Sequence, residues 1–318
     1  MSTDKIQDSA GVTRRLPIIA AMMSMALPGF GQLYNGRINR AIWFFIVFNI
    51  VAIPLVALIA LYLPARFMVV MLAISLVITL GVWVWGIADA WRDAKRLSGY
   101  RPKPWQTSGL YVIVFLLCNL IVLPFLFDYV RSNVVQPFRI PSNSMAPTVQ
   151  PGDFIFTDKR YNCPNCRKAL QRGDVAVFVF PNRRNLVYIK RIIGLPGDVV
   201  TSKSGVLSVT GSTFNREKTP ISEQISVEYS GSSDTGIFEE KFQDREWSVQ
   251  ITKPVEDFSV TVKPGHVFVL GDNRSASNDS RTFGQVPLAD VIGRARQIWF
   301  SMNSDGIQWS RMGKSLHP

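Results

Sequence analysis

The stretch VYIKRIIGLPGD at residues 187–198 decides the fold of the second half of this chain. It is a run of β-branched and aromatic residues that ends in a turn sequence, which is the pattern of a strand and its closing turn. Similar short runs, each bounded by Gly, Pro, Asn or Asp, cover residues 153–157, 175–180, 206–209, 258–262, 267–270 and 295–300. No helical period competes with them. The sequence therefore predicts an all-β domain over residues 131–318, built as a barrel-like antiparallel sheet.

One part of this domain has a different composition. Residues 201–257 are rich in Ser, Thr, Glu and Lys and carry none of the motifs described below. We expect an inserted β subdomain there.

Upstream of the β domain the chain is strongly apolar. Hydrophobic residues make up 47% of the sequence and charged residues 18%, and the apolar ones crowd into the first 130 positions. Three runs are long enough to cross a bilayer as helices, near residues 42–63, 67–88 and 109–127. The sequence thus predicts an N-terminal membrane domain over residues 1–130, with the lipid bilayer as a partner.

The basic residues predict the orientation of these spans. Ten of them flank the spans on one side: Lys5, Arg14, Arg15, Arg37, Arg40, Arg92, Lys95, Arg96, Arg101 and Lys103. The connection between the first two spans holds only Arg66. We therefore expect a cytoplasmic N-terminus and a β domain outside the cytoplasm. The net charge of +12 fits contact with anionic lipid, and no basic helix interleaved with aromatic residues indicates nucleic acid.

The segment before the first span has two interpretations. Residues 16–27 are apolar but short and follow two arginines, which is compatible with a cleaved signal peptide. The following PGFGQLYNGR at residues 28–37 resembles the glycine-rich entry motif of small membrane hairpin domains. We favour an interfacial or re-entrant turn there, whose glycines permit close packing.

The three cysteines do not predict a metal site. Cys118 lies in an apolar run, where a cysteine acts as a small hydrophobic residue. Cys163 and Cys166 form a lone C-P-N-C without histidines at ligand spacing, so a local disulfide is favoured if the loop faces an oxidising compartment. No metal or other cofactor is expected.

Three sequence boxes carry the chemistry. They read PSNSMAPT at residues 141–148, YIKRIIGLPGD at 188–198 and GDNRSASNDSR at 271–281. A serine hydroxyl needs a base, and histidine is a poor candidate because His266 lies in a turn and His317 is the penultimate residue. Lysine can serve instead if burial lowers its pKa, and Lys190 lies in an apolar strand.

Together the boxes resemble the bacterial type I signal peptidase (leader peptidase) family, in the family's order and after membrane anchoring. The resemblance implies a serine endopeptidase that removes signal peptides from exported preproteins after small residues, at the outer face of the cytoplasmic (inner) membrane. It implies that Ser144 is the nucleophile and Lys190 the general base. The Ser142 hydroxyl and the Ser144 N–H would form the oxyanion hole, and Ser277 would orient Lys190.

The same resemblance implies structural support from the third box. The supporting residues would be Asp272, Asn273, Arg274, Asp279 and Arg281, and Asp272 as an acid or base in its own right is an alternative. Residues 275 and 276, often Asp-Asn in the family, are Ser-Ala in this chain. Candidates for contact with the substrate are Ile140, Met145, Pro147, Ile189 and the strand at 153–156.

The sequence alone leaves other functions open. A Ser-Lys self-cleaving repressor-type peptidase shares the dyad, but the membrane spans and the lack of a DNA-binding segment count against it. A Ser-Lys peptidase with another membrane-protein substrate is a further alternative. A non-enzymatic membrane scaffold would leave both serines and the lysine unexplained.

Overall fold

The computed structural model describes residues 15–52, 54–63, 65–97, 99–161, 169–203, 205–211, 213–214, 220–221, 236–242 and 245–316. The chain divides into two compact units, Met1–Ile59 with Val70–Arg131, and Ala60–Val69 with Ser132–Pro318. Cys163, Cys166 and His317 lie outside the described residues, so the expected disulfide stays a prediction.

The amino-terminal half is helical. Its helices are α1 (Pro17–Ala26), α2 (Phe30–Tyr34), α3 (Ile38–Ala52), α4 (Pro54–Tyr62), α5 (Ala65–Arg96), α6 (Ser108–Leu117) and α7 (Leu123–Asn133). Among the described residues, three helical stretches are long and apolar enough to cross a membrane: Ile38–Ile59, Phe67–Arg96 and Ser108–Asn133. They overlap the three runs expected from the sequence.

Two of these helices extend beyond the expected spans. Helix α5 continues to Arg96, so its basic end is helical rather than a loop. Ion pairs hold this end, since Asp89 lies 3.5 Å from Arg40 and Asp93 lies 3.4 Å from Arg37. The last helical stretch passes through Pro124 by way of a π-helical turn at Cys118–Val122. Proline lacks the N–H for an α-helical bond, and a wider turn before it relieves the clash.

The glycine-rich segment forms a short helix that packs on α5. Gly29 begins α2 with φ of 88°, a conformation that suits glycine. The Gln32 amide donates to the Gly86 carbonyl oxygen at 2.7 Å, and the Asn35 amide donates to that of Ala90 at 2.8 Å. Residues 30–34 are therefore a short helix whose neighbouring polar side chains bind the α5 backbone, and a position of this segment at the membrane interface stays a prediction.

The carboxy-terminal half is built from strands. They are β1 (Val135–Arg139), β2 (Asp153–Asp158), β3 (Val175–Val179), β4 (Val187–Gly194), β5 (Val199–Lys203), β6 (Val206–Thr210), β7 (Thr213–Phe214), β8 (Pro220–Ile221), β9 (Ile237–Phe242), β10 (Arg245–Gln250), β11 (Phe258–Thr261), β12 (His266–Leu270), β13 (Val286–Pro287), β14 (Val291–Asn303) and β15 (Gly306–Ile307). A short helix α8 (Ser280–Phe283) follows β12.

The main sheet has the order β1-β2-β14-β3-β4-β12-β13, with β15 on β14. The pairings among these strands are antiparallel, and bulges interrupt β14 where it pairs with β2 and β3. Bulges bend and twist a strand, which allows one long strand to serve both neighbours in a curled sheet. The expected all-β catalytic domain is confirmed.

The insertion lies between β4 and β12. Its described strands form the sheets β11-β5-β6, β10-β9 and β7-β8, apart from the main sheet. The insertion shares a core with β4 and β12, made of Ile193, Val200, Leu207, Val209, Phe242, Trp247, Val249, Val262, Phe268 and Leu270. Because this core includes residues of β4 and β12, the insertion packs against β4, which carries the second box, and against β12, which leads into the third.

Candidate active site

Ser144 lies on the loop between β1 and β2. Two apolar side chains anchor this loop, because Met145 and Val149 are completely buried in the main core, the cluster that also holds Ile155 of β2 and Ile298 of β14. Ile140 fixes its start, since the Ile140 N–H donates to the Asp153 carbonyl oxygen at 2.8 Å. Ser144 is half-buried, at the point where the exposed residues 141–143 give way to the buried Met145.

Lys190 lies in the middle of β4, between β3 and β12. Its side chain is only 3% exposed, and its Nζ donates a hydrogen bond to the Ser144 Oγ at 2.6 Å. The two residues are 46 positions apart, and the sheet pairing of β4 brings them together. His266 takes no part in this contact, since its Nδ1 lies 2.9 Å from the Pro264 carbonyl oxygen.

Burial changes the acidity of this lysine. Removal from water disfavours the ammonium ion and lowers the pKa of Lys190 to about 8, although the carboxylates of Asp279 and Asp272 act in the opposite direction. About one tenth of the molecules then hold a neutral amine at position 190 at pH 7. A neutral amine within hydrogen-bonding distance of a hydroxyl can act as its general base.

Ser142 and Ser277, the two supporting serines, are placed differently. The Ser142 Oγ is 3.3 Å from the Ser144 Oγ on the exposed side of the loop. The Ser277 Oγ is buried, and within the described part of the chain it has no hydrogen-bond partner. It lies close behind the nucleophile, because a Cβ built on Gly271 would meet the Ser277 Oγ at 2.1 Å and the Ser144 carbonyl oxygen at 2.4 Å.

The third box holds the nucleophile loop from behind. The Asn273 N–H donates to the Ser144 carbonyl oxygen at 3.2 Å, and the Asn273 amide donates to that of Asn143 at 3.3 Å. Asp279 begins α8, accepts from the Gly271 N–H at 3.0 Å and pairs with Arg281. These bonds hold the box in one conformation.

A second set of contacts ties the third box to the strand of the lysine. Asp272 receives two hydrogen bonds from Arg191, at 2.7 and 2.6 Å, and both side chains are buried. Arg274 pairs with Glu240 of the insertion. Neither Arg191 nor Glu240 was among the expected site residues. Arg191 lies within the second box, next to the lysine, and that is its signal in the sequence, whereas no motif surrounds Glu240.

A cleft of about 370 Å³ opens beside the two reactive side chains. Its lining residues are Phe138, Arg139, Ile140, Pro141, Ser142, Ser144, Val177, Val187, Tyr188, Ile189, Lys190 and Asn278. Ile140 and Ile189 thus lie where contact with a substrate was expected. Met145 points into the core and is completely buried, so it supports the loop instead, and Pro147 is outside the lining.

A larger apolar cavity, of about 560 Å³, lies in the insertion and is lined by residues such as Phe238 and Ile251. It contains neither reactive side chain, so the cleft beside Ser144 is the better candidate for a site of chemistry. Within the described residues, no group of three His, Cys, Asp or Glu side chains could hold a metal ion.

The sequence of this chain is similar to those of known proteins. The family model "Signal peptidase, peptidase S26" matches residues 110–300. Signal peptidase I of Pseudomonas aeruginosa is 34% identical over 204 residues, which cover 56% of this chain and 69% of the relative. Signal peptidase I of Buchnera aphidicola is 31% identical, covering 57% and 73%. A solved signal peptidase I from Enterococcus faecalis is 31% identical with a TM-score of 0.29, covering 40% of this chain and 97% of that one.

Proposed function

Since this chain belongs to the signal peptidase family, peptidase S26, we propose that it cleaves signal peptides from preproteins with Ser144 as nucleophile and Lys190 as general base. It is a serine endopeptidase, as its relatives are. The observation that carries the assignment of the dyad is the 2.6 Å contact between Lys190 Nζ and Ser144 Oγ, made by a buried lysine with a pKa of about 8.

The chemistry follows from this contact. The Ser144 Oγ attacks the carbonyl carbon of the scissile bond while neutral Lys190 takes its proton. The tetrahedral intermediate carries an oxyanion, which the Ser142 hydroxyl and the Ser144 N–H would stabilise. Collapse breaks the C–N bond, and Lys190 returns its proton to the leaving amine of the mature protein. Water then attacks the acyl-enzyme with Lys190 again as base, which releases the signal peptide and restores the serine.

The substrate would bind along the cleft in an extended form. Strand β1 is at the edge of the main sheet, and an extended peptide can add to such an edge by backbone hydrogen bonds. Ile140 and Ile189 line the cleft beside Ser144, where their branched side chains would limit the size of a substrate side chain next to the cleaved bond. A cleft of this kind favours small residues next to the cleaved bond, as in A-x-A-like sites.

We further propose that the protein is anchored in the bacterial cytoplasmic membrane. Three helical stretches have the length and composition of membrane spans. The excess of basic residues before the first span and after the second supports a cytoplasmic N-terminus and an extracytoplasmic peptidase domain. Protease added to inverted membrane vesicles, whose outer surface is cytoplasmic, should leave the domain after residue 130 intact. Digestion of that domain would contradict this orientation.

Cleavage of a preprotein by the detergent-solubilised full chain tests the dyad. We expect the wild type to release a mature protein with one new N-terminus, identified by mass spectrometry. Ser144→Ala and Lys190→Ala should not do so, and Lys190→Arg should also fail because arginine stays protonated. Normal cleavage by both alanine variants would rule out the dyad. A scaffold function, by comparison, offers no reason for the buried Lys190–Ser144 contact.

A further inference from the structure

The insertion contributes a buried carboxylate to the back of the active site. Glu240 lies on β9 directly opposite Trp247 of β10. Its side chain is 1% exposed and accepts hydrogen bonds from both terminal nitrogens of Arg274 and, at 2.9 Å, from the Trp247 indole N–H. A buried carboxylate is costly unless it is fully paired, and here each of its oxygens has a donor.

Arg274 passes this contact on to the third box. Besides its two bonds to Glu240, it donates from Nε to the Gly271 carbonyl oxygen at 3.1 Å. Gly271 is the residue that packs against the Ser144 backbone. The guanidinium is nearly completely buried, and each of its three nitrogens makes a hydrogen bond. Arg274 therefore holds the backbone of the third box against the hairpin formed by β9 and β10.

Backbone bonds join the same two segments. The Gln250 N–H donates to the Asp272 carbonyl oxygen at 2.8 Å, and the Arg274 N–H donates to the Gln250 carbonyl oxygen at 2.8 Å. The Trp247 ring lies under the Arg191 guanidinium at 5.0 Å, and Arg191 in turn pairs with Asp272. Two buried cations and two buried anions thus form one closed network next to Lys190.

From this network we propose that Glu240 is a positioning residue for the reaction. It touches neither Ser144 nor Lys190. Acting through Arg274, it fixes the box that supports the Ser144 backbone and keeps Lys190 buried. The proposal rests on the proposed dyad, and it assigns the insertion a part in catalysis.

Glu240→Gln tests the proposal, because it keeps the shape of the side chain and removes its charge. We expect kcat per folded molecule to fall by about 10- to 100-fold, as is typical when a residue that orients a functional group is lost. KM should change less than twofold, because Glu240 is outside the cleft. Once the box loosens, water reaches Lys190, so the pH midpoint of kcat/KM should rise. A purely structural role would lower the folded fraction but leave that midpoint in place.

The groups that face Lys190 bear on this pH readout. Asp272 and Asp279 raise its pKa, while burial lowers it most. Arg191 is its neighbour on β4, and Arg274 approaches both carboxylates from the third box. Neither arginine is removed by the substitution, so a rise in the midpoint reports loss of burial.

Glu239→Gln is the matched control. Glu239 is on the same hairpin, is half-buried and accepts from the Ser248 hydroxyl at 2.8 Å, away from Arg274. The same chemical change there should leave kcat, KM and the pH midpoint within twofold of the wild type. If Glu239→Gln lowered kcat as much as Glu240→Gln does, the loss of any carboxylate from this hairpin would impair the enzyme. That result would overturn the specific role of Glu240.

A double variant distinguishes the positioning role of Glu240 from the destabilisation caused by leaving Arg274 buried without its partner. Glu240→Gln leaves the buried Arg274 without its ion-pair partner, and Glu240→Gln with Arg274→Gln removes that cation as well. We expect the double variant to regain resistance to thermal unfolding but not kcat. Recovery of kcat together with stability would overturn the proposal. If the wild type itself failed to cleave a preprotein, the dyad would be at fault, whereas a fully active Glu240→Gln beside an inactive Ser144→Ala would refute only the role of Glu240.

Discussion

The pH dependence of cleavage should follow the ionisation of Lys190. Burial lowers the pKa of this lysine from 10.5 to about 8. Only the neutral amine can take the proton of Ser144, so kcat/KM should rise with pH and level off above the midpoint. At pH 7 about one tenth of the enzyme would hold a neutral lysine, whereas with the pKa of a free lysine the fraction would be about 3 in 10,000. Burial therefore raises the fraction of neutral lysine at pH 7 by about 300-fold.

The assay is cleavage of an internally quenched peptide by the solubilised protein between pH 5.5 and 10. The substrate concentration should be well below KM, so that the profile reports groups of the free enzyme, and the peptide should contain no group that titrates in this range. We expect a tenfold fall in kcat/KM per pH unit below about pH 7. A rate that is flat from pH 6 to 9, or a midpoint near 10.5, would refute the reasoning. Lys190→Arg should be inactive throughout, which checks that no other base supplies the signal.

Three further outcomes are expected. Ser142→Ala should lower kcat by about 10²- to 10³-fold with little change in KM, measured by steady-state kinetics, because it removes one donor to the oxyanion while the exposed loop stays folded. Gly271→Ala should abolish most cleavage, because a Cβ there would stand 2.4 Å from the Ser144 carbonyl oxygen, whereas Gly81→Ala, with no atom within 4 Å, should behave as wild type. Lys190→Met should be inactive but more resistant to denaturant than the wild type at pH 7 and not at pH 11.

Local signals in the sequence predicted much of the fold. Strand runs punctuated by turn residues predicted the all-β catalytic domain, and the three boxes predicted the family and its activity, which the comparisons confirm. The second and third predicted spans ended near residues 88 and 127, whereas α5 continues to Arg96 and α7 to Asn133. Hydropathy marks where the apolar residues stop, but a helix can continue with polar residues, as α5 does where Asp93 pairs with Arg37.

The site was predictable only where its residues lie in the boxes. Met145 was expected to contact substrate, but an apolar residue beside a nucleophile can face the cleft or the core, and the packing of the loop on the main sheet decides for the core. Glu240 could not be found, because its partner Arg274 is 34 residues away and the pairing depends on how the insertion folds back. Long-range ion pairs of this kind leave no local pattern.

The burial that prepares Lys190 as a base also opposes folding. The pKa of Lys190 is about 8 in the folded chain and 10.5 in the unfolded one, so between these values the unfolded chain binds the extra proton. The free energy of unfolding therefore rises with pH across this window, and the full penalty is present below pH 8. At 1.36 kcal/mol per pH unit, the penalty at neutral pH is roughly 3 kcal/mol.

This cost must be offset elsewhere in the domain. The Ser144 Oγ accepts a hydrogen bond from the ammonium ion, and the charges of Asp279 and Asp272 already reduce the shift in the pKa of Lys190. The packing of the main core must therefore offset the remaining destabilisation. A lysine in the middle of a buried strand therefore destabilises the fold that holds it. A methionine at position 190 would keep the apolar packing and lose the charge, so its gain in stability should disappear once pH exceeds the pKa of the unfolded lysine. That pH dependence would identify the penalty as electrostatic, and it ties the stability of the domain to the same ionisation that controls its chemistry.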